Sequence, residues 1–233
     1  MQRGQINVAA LSWDSTWEST FRKREWGKYP PEELIRFAAR NLRDKPDRKK
    51  IKVLELGCGP GANLWFFARE GFDVYGIDGS ETAISQASQY LDEGRLKANL
   101  RVGDVVNLAG FYPGVVFDAV ADVACLQHNR IEAIRDTVSQ ANCLLKPGGK
   151  LFSMMVAAGS YGEALGTQVA PGTYVDIVDG PLKDAGLSHL STLEEILDIF
   201  GCFAEVSIEY TIRSLDRGQH EYKHWVIDAS KSL

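Results

Sequence analysis

From Ile51 onward the chain alternates short apolar runs with amphipathic ones. "IKVLELG" (51–57) and "DVYGID" (73–78) read as strands, and "ANLWFFAREG" (62–71) between them reads as a helix. "SETAISQASQYLDEG" (80–94) predicts a second helix with Ser80 as its N-cap, and a short third strand is expected around "NLRVGD" (99–104). The near-continuous apolar run "GVVFDAVADVA" (114–124) suits a strand covered on both faces of a parallel sheet. "RIEAIRDTVSQANCLLKPGG" (130–149) predicts a helix stopped by Pro147 and Gly148, and "KLFSMMVAA" (150–158) a fifth strand. Strands alternating with helices predict a doubly wound α/β sheet.

The rhythm changes at both ends. "LSWDSTWESTFRKREWGKYPPEEL" (11–34) packs Trp13, Trp17, Trp26, Phe21 and Tyr29 among charges without a strand period. Pro30 and Pro31 then open a helix over "PPEELIRFAARNL" (30–42), with acids in its first turn and Leu34, Ile35, Ala38 and Leu42 on one stripe. The tryptophans fit two roles at once: a staple packing residues 1–45 onto the domain, and a lid over a bound ligand. After Ala158, the glycine-rich stretch 158–190 has no regular period and is long for a connection without its own function, which makes it a candidate acceptor-binding region. "STLEEILDIFG" (191–201) predicts a capped helix, and "FAEVSIEYTIRSL" and "HEYKHWVIDASK" joined by "DRGQ" predict a hairpin. One domain over 1–233 is expected.

Composition narrows the class little. The formal net charge is −5, so no global basic field draws the chain to nucleic acid or an anionic membrane. The basic run Arg43–Lys52 reads as a solvated linker. Four cysteines without CxxC spacing, no secretory signal and no membrane-length apolar run fit reduced thiols in the cytoplasm. Oligomeric state, monomer or homodimer, stays open.

The chemistry concentrates at the first glycine-rich turn. Gly57, Gly59 and Ala62 satisfy a G-x-G-x-x-G/A pattern, and Asp78 follows about twenty residues later, as in dinucleotide sites. Yet Glu55 stands two residues before the first glycine, and Pro60 removes an amide donor. A carboxylate there suits a ligand carrying an ammonium better than a pyrophosphate, which wants bare N–H groups. In "VGDVVNL" (102–108), Asp104 can accept from an adenine amino group while the Val105 N–H donates to the ring.

"VLELGCGPGANLWFFAREGFDVYGIDGSETAISQA" (53–87), "VGDVVNL", "FDAVADVACLQH" (117–128) and "LLKPGGKLFSMM" (144–155) together resemble, in order and spacing, the motifs of class I S-adenosylmethionine-dependent methyltransferases. The resemblance runs from about Pro31 to the C-terminus, apart from the insert Gly159–His189. It implies a Rossmann-like, doubly wound, seven-stranded, mostly parallel sheet with an antiparallel C-terminal hairpin strand, and S-adenosylmethionine as cofactor. It places Glu55, Gly57, Cys58, Gly59 and Asn63 at the methionine half, Asp78 and Gly79 at the ribose, and Asp104 and Val105 at the adenine, with Gly103 as a further cofactor contact. Trp17 and Asp122 complete the expected cofactor contacts.

His128 and Asp122, at the end of the fourth strand, are the candidate catalytic pair, His128 as general base. Trp26, Tyr29, His128, Tyr161 and Tyr174 are the candidate acceptor contacts. No metal site is expected: His220 and His224 in i, i+4 spacing on a strand sit too far apart for one ion. An N/D-P-P-Y motif, a basic stripe and the paired acids of metal-dependent catechol-type enzymes are all missing. The expected reaction is O-methylation of a small molecule, a sugar, glycan precursor or secondary metabolite. The segment before Phe37 looks like the opening of bacterial methyltransferases of glycan and natural-product pathways. N-methylation of a small amine, a nicotinamide-dependent oxidoreductase and a non-catalytic S-adenosylmethionine-binding module are the alternatives.

Overall fold

Two helices precede the first strand in the computed structural model, which describes residues 13–233. They are α1 (Thr16–Lys23) and α2 (Glu32–Asn41), and the first twelve residues of the aromatic arm lie outside the described range. The alternating unit then runs β1 (Lys52–Leu56), α3 (Ala62–Arg69), β2 (Asp73–Asp78), α4 (Glu81–Glu93), β3 (Asn99–Val102), α5 (Leu108–Phe111), β4 (Phe117–Val123), α6 (Ile131–Leu144) and β5 (Leu145–Val156). Three short strands follow, β6 (Thr167–Ala170), β7 (Thr173–Val175) and β8 (Ser188–His189), then α7 (Leu193–Ile199) and the hairpin β9 (Glu205–Leu215) with β10 (His220–Ser230).

The main sheet has seven strands in the order β3-β2-β1-β4-β5-β10-β9. The first five are parallel, while β10 runs antiparallel to both β5 and β9. The chain winds outward from β1 through β2 and β3, then returns to start β4 on the other side of β1. Ligands of open α/β sheets sit in the crevice beyond the carboxyl ends of strands at such a reversal.

The pleat sorts side chains to the two faces. Leu54 and Leu56 of β1 join Ile134, Val138 and Ala141 of α6 and Ile196 and Ile199 of α7 in one core layer. Val53, one position before Leu54 and so on the opposite face, joins Leu34, Phe37 and Ala38 of α2 and Leu64 and Phe67 of α3 in the other. The period-2 burial of β1 thus serves two helical layers at once.

Several local expectations change. α6 ends at Leu144, ahead of Pro147, and Leu145 already pairs with Phe117. A residue before proline is disfavoured in the helical region, so the chain extends before Pro147 rather than at it. The insert is more ordered than its composition predicts, because β6, β7 and β8 form a small antiparallel sheet. In the arm, Trp17 and Phe21 share a helical face at i, i+4, and Glu18 and Arg22 pair on another, so α1 stands where no strand period was found. The basic run is matched by local acids: Arg48 pairs with Glu70 at 2.7 Å and Lys52 with Asp73 at 2.6 Å. No helix among the described residues is long and apolar enough to cross a membrane.

Candidate active site

A cavity of about 460 Å³ opens beyond the carboxyl ends of β1, β2 and β4. Its floor is the turn from β1 into α3. Gly57, Gly59 and Gly61 all adopt positive φ (+58°, +50° and +89°), which brings the backbone back over the strand end. A Cβ on Gly57 would meet Cys125 Sγ at 2.2 Å, so only glycine lets the turn close against the segment after β4.

Two carboxyl groups face each other across this turn. Glu55 is buried; its Oε1 accepts from Asn63 Nδ2 at 2.6 Å, and its Oε2 is buried without any hydrogen-bond partner. Burial raises the Glu55 pKa well above the usual carboxylate value, against the Asn63 hydrogen bond and reinforced by the Asp78 charge. Asp78 Oδ2 accepts the Gly59 N–H at 2.8 Å and Oδ1 the Ser80 N–H at 2.9 Å, so its orientation is set by the turn it serves. Burial raises its pKa too, opposed by those two amides.

The arm closes one wall. Glu18 of α1 accepts from the hydroxyls of Ser80 and Thr82, both at 2.5 Å, tying α1 to the first turn of α4 and holding the Glu18 pKa down to about 2. The Trp13 N–H donates to Asp104 Oδ2 at 3.2 Å, and the Trp13 indole lies against Gly79 so closely that a Cβ there would meet it at 2.1 Å. The Leu187 N–H donates to Asp14 Oδ2 at 3.3 Å, joining arm to insert. Trp17, Phe21 and Trp26 form an aromatic cluster with ring centroids 5.2–6.0 Å apart.

β4 delivers the remaining polar groups. Ala124 takes φ +60°, a strained turn for a residue with a Cβ, and the chain then coils through Gln127 and His128 into the cavity wall. His128 Nδ1 lies 3.0 Å from the Leu187 carbonyl, which can only accept, so Nδ1 carries the proton. Gln127 Oε1 accepts the Val156 N–H at 2.7 Å, which turns its amide nitrogen toward His128 Nε2 at 3.3 Å. Desolvation lowers the His128 pKa to about 4, so the imidazole is neutral near pH 7, with its lone pair on Nε2. The Trp17 ring stands 4.6 Å away, edge to face.

Most of the expected site residues meet here. Trp17, Trp26, Tyr29, Glu55, Gly57, Cys58, Gly59, Asn63, Asp78, Gly79, Asp104, Val105 and His128 all line the one cavity. The structure places Asp122 behind the site rather than in it. Its side chain is fully buried, with Oδ1 accepting from the Cys125 and Leu126 N–H groups and Oδ2 from Ser153 Oγ at 2.6 Å. It therefore shapes the turn that carries His128 and touches no ligand space. Gly103 is likewise packed away, its N–H bonded to the Asp78 carbonyl and its Cα against the Phe111 ring.

The insert tyrosines also point elsewhere. Tyr161 donates to Asp179 and stacks on His220 at 3.7 Å, and Tyr174 donates to Glu163. The insert reaches the cavity instead through Pro181, Leu182 and Ala185, and the C-terminal hairpin through Arg213 and Tyr222. Sequence reasoning missed these five. The only signal for them was an arginine and a tyrosine on paired strands next to the chain's last turn.

Residues 53–149 match the family model described as "Methyltransferase domain". The chain is 27% identical over 225 residues to a ubiquinone biosynthesis O-methyltransferase of Mesorhizobium japonicum, covering 94% of this chain and 72% of that protein. It is 30% identical over 177 residues to the protein of that name from Xanthomonas campestris pv. campestris, covering 75% of this chain and 56% of that one. The chain thus spans little more than half of the second relative. A solved SAM-dependent methyltransferase from Methanosarcina mazei has the same fold, with a TM-score of 0.67 at 18% identity over 88% of this chain and 99% of that one. Glycine turn, strand-end acids, sheet order and the methyltransferase-domain match over residues 53–149 converge, and together they support a class I S-adenosylmethionine-dependent methyltransferase.

Proposed function

We propose that this chain binds S-adenosylmethionine in the crevice beyond β1 and β2 and methylates a hydroxyl of a small aromatic acceptor held between the arm, the insert and the hairpin. The observation that carries this reading is the unpartnered, buried Glu55 Oε2 in the same cavity as a neutral His128. A buried carboxyl oxygen without a partner is costly unless a ligand completes it. An ammonium group is the natural complement, and the adjoining glycine turn leaves room for one.

The residues fit the cofactor as follows. Glu55, with Asn63 fixing its orientation, would hold the amino group, Asp78 the ribose hydroxyls, and Asp104 with Val105 the adenine edge. Asp104 already accepts the Trp13 and Val106 N–H groups, so the arm and the adenine would share one carboxylate. When bound, S-adenosylmethionine supplies a methyl group already activated by its sulfonium. The protein's task is then to align the acceptor and take up its proton.

His128 Nε2 is the proton-accepting atom, released from Gln127 as the acceptor hydroxyl replaces that amide. A conjugate acid with a pKa near 4 makes a weak base, so the proton moves as the new O–C bond forms. A base this weak favours an acidic hydroxyl, a phenol, over the sugar alcohol considered from the sequence. The aromatic cluster of Trp17, Phe21 and Trp26 gives such a ring a face to stack on. The O-methyltransferase names of the relatives support oxygen over nitrogen. Thermal-shift titration tests the cofactor: S-adenosylhomocysteine should raise the melting temperature and NAD(P) should not. The reverse result would make the protein a nicotinamide-binding one.

A further inference from the structure

The cavity is electrically split. Asp14, Glu55, Asp78 and Asp104 line the side formed by the glycine turn and the arm, and among the described residues Arg213 is the one lysine or arginine that lines it at all. Arg213 lies on β9, the edge strand of the sheet, directly opposite Tyr222 of β10. The β10 register sets Val156, the last residue of β5, against His224, so Tyr222 and Arg213 project past the carboxyl edge of the sheet, over the site.

The guanidinium is positioned yet unmatched. Its Cζ lies over the Tyr222 ring, 5.7 Å from the centroid; Arg213 is exposed, whereas the phenol beneath it is only 8% exposed. No carboxylate among the described residues lies within ion-pair distance of it. Arg40 closes an ion pair with Glu209 of the same strand at 3.4 Å, and Arg24 one with Asp184 of the insert at 3.7 Å. A planar guanidinium held over an aromatic face, with its donor edge free, is built for bidentate capture of an oxyanion. Tyr222 is fixed in turn beside the Gln127 amide, the group that touches His128. Arginine, tyrosine, glutamine and histidine therefore form a continuous path from the hairpin to the proton-accepting nitrogen.

We propose that Arg213 selects the methyl acceptor by an anionic group, a carboxylate or a phosphate-like group, carried at the end of the molecule remote from the reacting hydroxyl. This rests on the methyltransferase reading above. The acid-rich side takes the cationic cofactor, the arginine takes the anionic end of the acceptor, and the two ligands are kept from exchanging places by charge. Arg213 is a specificity residue that touches substrate, and its position on an exposed edge strand lets it be replaced without disturbing the core.

The test is isothermal titration of the protein saturated with S-adenosylhomocysteine. Ligands are 4-hydroxybenzoate, 4-hydroxyphenylacetate and 4-coumarate, the matching neutral amides, and 4-hydroxyphenylphosphonate. The three acids span a range of lengths, and the phosphonate separates a preference for carboxylate from one for phosphate-like anions. At least one anion should bind tenfold or more tighter than its neutral counterpart. Arg213→Met should erase that preference, Arg213→Lys should retain part of it, and affinity for S-adenosylhomocysteine should hold in both variants. Equal binding of anion and amide, or no binding of any anion, overturns the proposal while the methyltransferase reading stands. Loss of S-adenosylhomocysteine affinity in Arg213→Met also overturns it, because the arginine would then serve the cofactor's own carboxylate. If wild-type protein fails to bind S-adenosylhomocysteine, the methyltransferase reading itself falls, and this proposal with it.

Discussion

Glu55 gives the sharpest test of the cofactor site, through protons. In the free protein its carboxyl is buried with one oxygen unpartnered, and desolvation lifts its pKa well above the ordinary 4.5. An ammonium placed beside it favours the ionised form and lowers that pKa again. Between the bound and free pKa values, binding therefore expels a proton, and affinity rises with pH across the same window. Glu55→Gln keeps the Asn63 contact geometry but carries neither charge nor proton. Breaking a buried ion pair costs about 3–5 kcal/mol. Part of that is returned, because wild-type Glu55 must first ionise, at ~1.4 kcal/mol for each pH unit its free pKa lies above the solution pH. The net loss expected is about 1–3 kcal/mol, a five- to 150-fold weakening of S-adenosylhomocysteine. Calorimetry in phosphate and in Tris at one pH reads the proton directly, because the two buffers differ in ionisation enthalpy. Wild type should show buffer-dependent enthalpy and the variant none. 5′-Methylthioadenosine, which lacks the amino-acid end, should bind both proteins alike. Buffer-independent enthalpy in the wild type would refute the argument. Equal loss of methylthioadenosine affinity would do so too, by showing that the substitution disturbs the turn itself.

Three further outcomes follow from the same geometry. His128→Ala should cut turnover by about 10²–10⁴-fold with S-adenosylhomocysteine affinity intact, and the wild-type rate profile should show no inflection at 6.5, because His128 titrates at about 4; a near-normal rate in the variant would make the imidazole a packing group. Asp122→Asn should stabilise the fold, because the buried acid is raised from 3.8 to about 6 and its ionisation penalises the native state progressively between those values and fully above them; the gain should reach up to ~3 kcal/mol at pH 8 and be smaller at pH 5, and urea melts with no pH dependence in the difference would contradict it. Glu18→Gln should loosen the arm, because a carboxylate held down to about 2 contributes stability above its ordinary 4.5 that is lost as pH falls through 2; with a side chain 20% exposed, about 1 kcal/mol at pH 7 is expected, and faster amide exchange confined to residues 16–23 is the observable. Uniform protection in that segment would mean the clasp contributes nothing.

What the sequence revealed and what it concealed divide along one physical line. The glycine turn, the acids ending β1 and β2 and the histidine after β4 are each set by local geometry: a strand of known length, a turn that only glycine closes, a helix that must begin there. Asp122 shows the limit even within this part, since a carboxyl one strand position from the cavity is consumed by two backbone amides and a serine hydroxyl. Residue type and neighbourhood do not reveal whether its lone pairs are already taken. The tyrosines of the insert fail for a similar reason, since Tyr161 and Tyr174 spend their hydroxyls on Asp179 and Glu163 within the insert itself.

Arg213 was illegible because its placement depends on register. β9 and β10 each run for eleven residues, whereas β1, at the centre of the sheet, has only five. β10 pairs with β5 over only seven of its residues, His224–Ser230, so the hairpin overhangs, and a strand rises about 3.3 Å per residue, so a shift of two positions moves a side chain by about 7 Å along the sheet. The observed pairing of His224 with Val156 puts the overhang at the carboxyl edge, where the crevice opens. A two-residue slide the other way would keep every side chain on its own face and satisfy the same alternation of apolar and polar residues, yet withdraw Arg213 from the cavity. What prevents it is packing on both sides of β10. Ile227 and Ala229 sit in one core layer and Val226 in the other, while Tyr222 reaches the insert's cluster with Val156, Ile177, Leu182 and Leu190. The insert thus holds the hairpin in register, and the hairpin presents the arginine. On the proposal above, residues 158–190 would bear on acceptor choice chiefly through that hold, with Pro181, Leu182 and Ala185 lining the cavity wall directly.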